Sequence, residues 1–510
     1  MYITTNQKLL LAIFFSFIWA SFSFYLAQPW IEDLNNYYYK IWSYCLVLGI
    51  AIIPGFFNAF LVASLFLDKR PEYNHLIYED SVLPSISILI AAFNEEESIT
   101  DTLDSILKQE YPGQIEVFVS DDGSSDNTAE LVKQFIIDSK PLATVKNIHF
   151  NISTGFKNVG KSGALKRVLK QCQHDLVITI DADSYLYKDA LKNIVSNYVH
   201  GPKNTAAIAG TVLVRNSRKN WLTKLQEWEY FISLSLVKRS QSLFQGTLVA
   251  QGAFSLYRKD VLEEVGGWPE VVGEDIALTW GIQKLKYRVG HAEDAIIFTN
   301  APENYKTFFN QRRRWSRGLI EAFKRYPEVI WTLKPNSIFI WLNLMFPFLD
   351  FMFVFGFIPG LIFALVFQWY AIVSILTIML LPMAILMNYL IYRSHIKTFE
   401  KMNLKVRKNI FGYFTFMLIC QAIMAPACLR GYLDEFLKLK KSWGTKNSVI
   451  AEEFRLYSSY SLSSRCSAAI LSAIIFVGSS IWSEVEIKHQ HQYHKFIIIK
   501  TSEYGDYRIV

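Results

Sequence analysis

Two aspartates one residue apart, Asp181 and Asp183, close the apolar run Leu176–Ile180. Such a run ending in Asp-x-Asp sets two carboxylates side by side at the edge of a sheet, where they repel unless a cation joins them. Hard oxygen ligands suit Mg2+ or Mn2+, ions that keep some waters and bridge to phosphate oxygens. Other polar groups recur in the same setting. Asn94-Glu95-Glu96-Glu97 follows the run Ser85–Ala92, and Asp121-Asp122-Gly123-Ser124 follows Ile115–Ser120. Further on stand Gly273-Glu274-Asp275 and Gln311-Arg312-Arg313-Arg314-Trp315. A carboxylate there could serve as general base, an arginine as counter-charge to phosphate, and a tryptophan as a flat apolar face. Each has a plainer alternative. An acidic or hydroxyl residue after a strand is frequently a helix cap, as Asp126 or Ser98 would be, and the arginine cluster suits a helix at a membrane interface.

These groups need a scaffold. Between Ser85 and Thr211, β-rich apolar runs alternate with helical stretches at Ser98–Gln109, Thr128–Ser139 and Lys161–Gln171, with a further strand at Ala206–Val212. That alternation predicts a mainly parallel α/β sheet, which takes ligands beyond the carboxyl ends of its strands. The first three polar groups lie there. Neither a P-loop lysine motif nor GxGxxG occurs, so a Walker nucleotide hydrolase and a Rossmann dehydrogenase are both without support.

The composition says what surrounds the scaffold. Of 510 residues, 51% are hydrophobic and 19% charged, which excludes a disordered or fibrous chain and points to a membrane protein with a substantial soluble part. The 52 Lys and Arg against 45 Asp and Glu give +7, which in so apolar a chain marks cytoplasmic loops near anionic lipid rather than nucleic-acid binding. Cys45, Cys172, Cys420, Cys428 and Cys466 form no CxxC pair and read as small buried hydrophobes.

Leu9–Leu26 and Ile41–Leu67 reach the ~20 residues that span a bilayer, so residues 1–67 are predicted to form two transmembrane helices. A cleavable signal peptide is the rival for the first, but the run is long and a second span follows at once. Residues 68–335 read as a soluble domain that opens with Lys69, Arg70 and Pro71, which places it and the N-terminus in the cytoplasm. Residues 336–446 return to membrane and interface helices: Ile338–Tyr392 is long enough for two, with Pro347, Gly356, Pro359, Gly360 and Pro382 as kink points, and Ile410–Leu429 follows. The basic stretches Arg393–Lys408 and Lys438–Lys446 cannot both be cytoplasmic with one true span between them. Either one basic loop breaks the rule or one run is interfacial or re-entrant, with Pro347, Asp350, Gln421 and Pro426 marking the candidates. In the extension 447–510, Cys466–Trp482 reads equally as a further span or an amphipathic tail.

Taken in order, Asp122, Asp181-x-Asp183, Glu274-Asp275 and Gln311-x-x-Arg314-Trp315, between apolar segments on both sides, resemble the full signature of processive family 2 glycosyltransferases. The resemblance covers roughly Leu9 to Lys446, with further matches at Asn158-x-Gly160-Lys161-x-x-Ala164-Leu165, Gln251-Gly252-Ala253 and Lys441-Ser442-Trp443-Gly444-Thr445-Lys446. It implies an α/β GT-A nucleotide-diphospho-sugar transferase domain inserted between α-helical transmembrane segments of a multi-pass protein of the bacterial inner membrane. Its partners would be a UDP-sugar, the growing polysaccharide and the bilayer; an accessory subunit is left open.

By the same resemblance, Ala92, Phe93, Asn94, Glu95, Asp121 and Asp122 would hold the uracil and ribose of the donor. Lys161, Asp181 and Arg314 would lie against the rest of it. Asp183 would bind the Mg2+ or Mn2+, Asp275 beside Glu274 would be the catalytic base, and Gly252, Gln311 and Trp315 would serve the acceptor. Within the family the chain most resembles bacterial poly-β-1,6-N-acetylglucosamine synthases of biofilm matrix, through Thr223–Tyr230, Val237–Gln241 and the Lys-Ser-Trp-Gly-Thr-Lys run. Gly273 stands where that group usually carries threonine. Hyaluronan, chitin-oligosaccharide and cellulose-like synthases share the core, and a membrane protein that binds nucleotide-sugars without chemistry is the alternative of a different class.

Overall fold

In a computed structural model of the protein, residues 3–68, 83–244, 246–373 and 408–439 are described, with isolated residues between 374 and 407. The basic cluster from 440 and the whole extension 447–510 lie outside them. Two apolar helices open the chain, α1 (Thr5–Leu26) and α3 (Lys40–Leu67), the latter through a π-turn at Leu48–Ile52. Between them the short α2 (Gln28–Asn35) buries Trp30, Ile31 and Leu34, and the Trp30 indole N–H donates to the Ala371 carbonyl at 2.8 Å. A sequence reading for bilayer-length runs passes over α2 because two turns of amphipathic helix carry no such run.

The central domain runs β1 (Ile86–Ala92), α4 (Ile99–Leu107), β2 (Ile115–Asp121), α5 (Thr128–Val145), β3 (Ile148–Thr154), α6 (Gly160–Leu169), β4 (Leu176–Asp181), β5 (Ser184–Leu186), α7 (Ala190–Val199) and β6 (Thr205–Val214). Then α8 (Trp221–Glu229) passes through a π-turn at Tyr230–Leu236 into α9 (Val237–Leu243). After β7 (Phe254–Arg258) come α10 (Lys259–Glu264), α11 (Glu274–Lys284), β8 (Arg288–Thr299) and α12 (Tyr305–Arg325). Two more helices long and apolar enough to cross a membrane close the described part, α13 (Ser337–Phe367) and α14 (Ile410–Phe436).

The eight strands form one sheet in the order β3-β2-β1-β4-β7-β6-β8-β5. It is mixed rather than mainly parallel: β7 runs antiparallel to both β4 and β6, and β5 antiparallel to β8. An apolar run carries no mark of its direction, which is set by the end of the sheet to which its connection returns. The strand β3 is an edge with a half-exposed face, so it lacks the continuous apolar run that announces its neighbours. Register aligns Ala92 with Asp121 and Ala91 with Asp181, so β1, β2 and β4 end level and deliver their polar residues to one rim.

Packing fixes that rim from three sides. Ile86, Ile88 and Ile90 of β1 lie against Ile99, Leu103 and Ile106 of α4, while Leu89 and Val177 meet Leu165 and Val168 of α6 on the opposite face. Burying each such side chain contributes ~1.5–3 kcal/mol. A third core joins Ala12 and Phe60 of the apolar helices α1 and α3 to Phe244, Trp280, Phe323 and Phe339, so α11, whose Leu278 and Ile282 lie against the sheet, shares with α12 a packing surface on those helices.

The helices α11 and α12 touch backbone to backbone. A Cβ on Gly273, the residue before α11, would stand 2.7 Å from Gly318 Cα, and peptide cannot yield as a side chain can. That contact accounts for glycine at a position where threonine occurs in the group it resembles. Gly273→Thr should destabilise the protein by about 1–3 kcal/mol through overpacking, read as a lower melting temperature in detergent. An unchanged melting temperature would mean that α12 can slide away.

Candidate active site

The loops after β1 and β2 are joined to each other before any ligand arrives. Asn94 sits at φ 55°; its N–H donates to Ser124 Oγ at 3.0 Å, and its Oδ1 accepts the Ser125 N–H at 2.8 Å. The Glu95 N–H donates to Thr128 Oγ1 at 2.8 Å. Asp121 accepts the Ser124 hydroxyl at 2.5 Å and is buried. Asp122 is buried as well: its carboxylate accepts N–H groups of Gly160 at 2.7 Å and Val159 at 3.0 Å, and Arg167 Nη2 at 3.2 Å. Burial lifts the Asp122 carboxyl above its ordinary range, although those donors pull the other way. Both aspartates turn inward and hold loops. Beside them on this rim, Phe93, Asn94 and Glu95 are half-buried.

Lys161, on the first turn of α6, is the centre of the site. Its ammonium donates to Asp181 Oδ1 and lies 4.0 Å from Glu274 Oε1. Burial alone would lower its pKa; Asp181 and Glu274 outweigh that and hold it charged. A Cβ on Gly252 would stand 2.7 Å from Lys161 Nζ, so only glycine leaves the lysine in place. Asp183 accepts Thr299 Oγ1 at 3.4 Å, and burial, with the charges of Asp181 and Glu95, pushes its carboxyl up to about 7. Burial and the adjacent Asp275 likewise raise Glu274 to about 7, with Arg314 among the charges that pull it down. Asp275 is the second residue of α11, and its Oδ1 accepts the Ile276 N–H at 2.8 Å.

The acidic pair fits a divalent cation in one respect that bears directly on charge. Burial, and then the nearby charges of Asp181 and Glu95, disfavour the ionised form of Asp183, the condition a bound cation relieves. Among the described residues no three acidic, His or Cys side chains close on one point. A cation on Asp183 would therefore complete its shell with water and phosphate oxygens, as Mg2+ commonly does.

On the other side of α11 lies α12. Trp315 is 42% exposed, and Arg314 and Gln311 are half-buried. Two features here escape a reading of the sequence. Arg312 is buried and paired with Glu229, though it looks like its neighbours in the arginine run. Lys238, on α9, is also buried: its ammonium donates to the Val249 carbonyl at 3.0 Å, and burial lowers it to about 7 against the pull of Asp275. A lysine in a helix gives no local sign of burial.

Residues 87–266 match the family model for glycosyl transferase family 2. They form a family 2 glycosyltransferase domain. With the mixed sheet, that gives the domain a GT-A-type fold. The match ends before Glu274, so the acid pair and Gln311–Trp315 rest on geometry and motif. A poly-beta-1,6-N-acetyl-D-glucosamine synthase of Staphylococcus epidermidis is 33% identical over 264 residues, 51% of this chain and 61% of that relative. Its namesake in Staphylococcus aureus strain COL is 33% identical over 260 residues, 51% of this chain and 59% of its own. The chain thus spans about three fifths of the length of these curated relatives. Among solved structures, a mannosyltransferase from Pyrobaculum calidifontis in complex with GDP-Man and Mn2+ aligns with 78% of this chain and 100% of its own at 16% identity and TM-score 0.48. That likeness is too slight to bear on the site of the glycosyltransferase domain.

Proposed function

We propose that this chain is a membrane-embedded, inverting and processive glycosyltransferase that polymerises N-acetylglucosamine from UDP-GlcNAc into an extracellular polysaccharide of the poly-β-1,6 type. The convergence of Lys161, Asp181, Asp183 and Glu274 beneath Gly252, at the rim where β1, β2 and β4 end, carries the reading. The identity to synthases of that polymer supports the choice of sugar. Among the described residues, four helices of membrane-crossing length support a multi-pass place in the bacterial plasma membrane with the catalytic domain in the cytoplasm.

Ala92, Phe93, Asn94 and Glu95 form the base and ribose end, with Asp121 and Asp122 shaping it through the loops they hold. Asp181 orients Lys161, and Arg314 faces charge that develops on the diphosphate. Asp183 would hold Mg2+ or Mn2+, which when bound supplies positive charge to the diphosphate oxygens. Asp275 takes the proton of the acceptor hydroxyl while that oxygen bonds to the anomeric carbon. The bond from that carbon to the β-phosphate oxygen breaks on the opposite side, releasing UDP and inverting the α-linked donor to a β-linked product. Gly252 leaves room for the Lys161 ammonium, and Gln311 and Trp315 seat the acceptor end of the chain.

Protons and cation compete for Asp183, so apparent Mg2+ affinity should climb as pH rises from about 6 to about 8 and then level off. Isothermal titration with Mg2+ and UDP measures it, and a flat profile would remove Asp183 from the cation site. The decisive experiment incubates detergent-solubilised protein with separate UDP-sugars and Mg2+. UDP-GlcNAc alone should yield polymer, and chelation should stop it. A need for UDP-glucuronate would replace this reading by a hyaluronan synthase, and binding without UDP release by a non-catalytic protein.

A further inference from the structure

Arg312 is the second residue of the Gln311–Trp315 motif, yet its side chain is only 1% exposed. Its guanidinium makes a two-pronged pair with Glu229, Nε to Oε1 at 2.9 Å and Nη2 to Oε2 at 2.5 Å, and its third nitrogen donates to Gln311 Oε1. The same guanidinium lies 4.2 Å from the centre of the Trp315 ring, 4.5 Å from Phe308 and 5.8 Å from Tyr230. Trp315 is thus backed on one side by a flat buried cation while 42% of it is open to solvent.

A buried ion pair is poor evidence of a stabilising device, since a well-packed apolar pair of similar size often serves folding as well or better. What an apolar pair lacks is the guanidinium's geometry: a planar fork fixed by a carboxylate, with its charge held over an indole ring. Glu229 ends α8 just where the π-turn at Tyr230–Leu236 begins, so the pair refers the indole to a helix other than its own. We infer that Arg312 and Glu229 are positioning residues that set the tilt of Trp315 and so the plane on which the acceptor sugar stacks. The inference deepens the acceptor role proposed for Trp315 and rests on it.

The test uses full-length protein in detergent, labelled with 5-fluorotryptophan, in which loss of one 19F line in Trp315→Phe assigns that residue among the 13 tryptophans. In Arg312→Lys and Glu229→Gln the Trp315 line should shift and broaden while the lines remote from it hold. Product length per UDP released should fall on the order of 10-fold with little change in the KM for UDP-GlcNAc. If Glu229→Gln fails to fold, the double variant Arg312→Met with Glu229→Met, which leaves no buried charge, keeps the fold and should show the same loss. A Trp315 line and product length unchanged in Arg312→Lys and in the double variant would overturn the inference. A line that moves in Arg312→Lys, with Trp315→Ala leaving product length intact, sinks the acceptor role while the positioning stands. A line that stays, with Trp315→Ala shortening product, sinks the positioning alone.

Discussion

Asp275→Asn is expected to lower polymer synthesis by about 10²–10⁴-fold while UDP affinity and melting temperature stay near those of the parent. Asparagine keeps the size of the side chain and the oxygen that accepts the Ile276 N–H, so α11 should start as before. What disappears is the ability to take a proton. Glu274 provides the internal control. It faces Lys161 at 4.0 Å and is raised to about 7, a range suited to a general base at neutral pH. Radiolabelled transfer in Asp275→Asn and Glu274→Gln decides between them. Near-normal synthesis by Asp275→Asn beside a dead Glu274→Gln would move the base to Glu274.

Trp315→Ala should reduce synthesis by about 10²-fold and shorten the product, with UDP affinity little altered. A processive enzyme must hold the new terminal sugar beside the donor after each step and still let the polymer slide. A stacking face does both, because dispersion and C–H contacts tolerate sliding where a fixed set of hydrogen bonds does not. Residual turnover should drift toward hydrolysis of the donor or short oligosaccharides. Comparing UDP release, product length and UDP affinity checks this. An equal loss of UDP affinity, or unchanged length, would make Trp315 a packing residue of α12.

The polar groups of the candidate site were legible in the sequence because short apolar runs put Asn94, Asp121 and Asp181 at or just beyond strand ends, where an α/β sheet takes its ligands. The order of the strands was not legible: β7 and β5 are apolar runs like the others, and nothing local says that they run backwards. The inward turn of Asp122 was hidden because its partners, Val159, Gly160 and Arg167, stand 37 to 45 residues away. Arg312 was hidden more thoroughly. Three consecutive arginines look alike, and only Glu229, 83 residues upstream, singles one out. Gly273 looked like a departure from pattern until Gly318 supplied the surface it must fit.

That glycine contact has a bearing on substrate choice. Since Gly273 and Gly318 meet main chain to main chain, Asp275 in the first turn of α11 and the tryptophan of α12 belong to one girder, and the spacing of their backbones is set by peptide geometry rather than by rotamers. On the proposed roles, the gap between proton acceptor and stacking face is a fixed gauge. A gauge of that kind admits one thickness of sugar ring and one reach of hydroxyl. Altered donors could then be accommodated by changing the rim at Phe93–Glu95, whereas altered acceptors would require the two helices to be spaced anew.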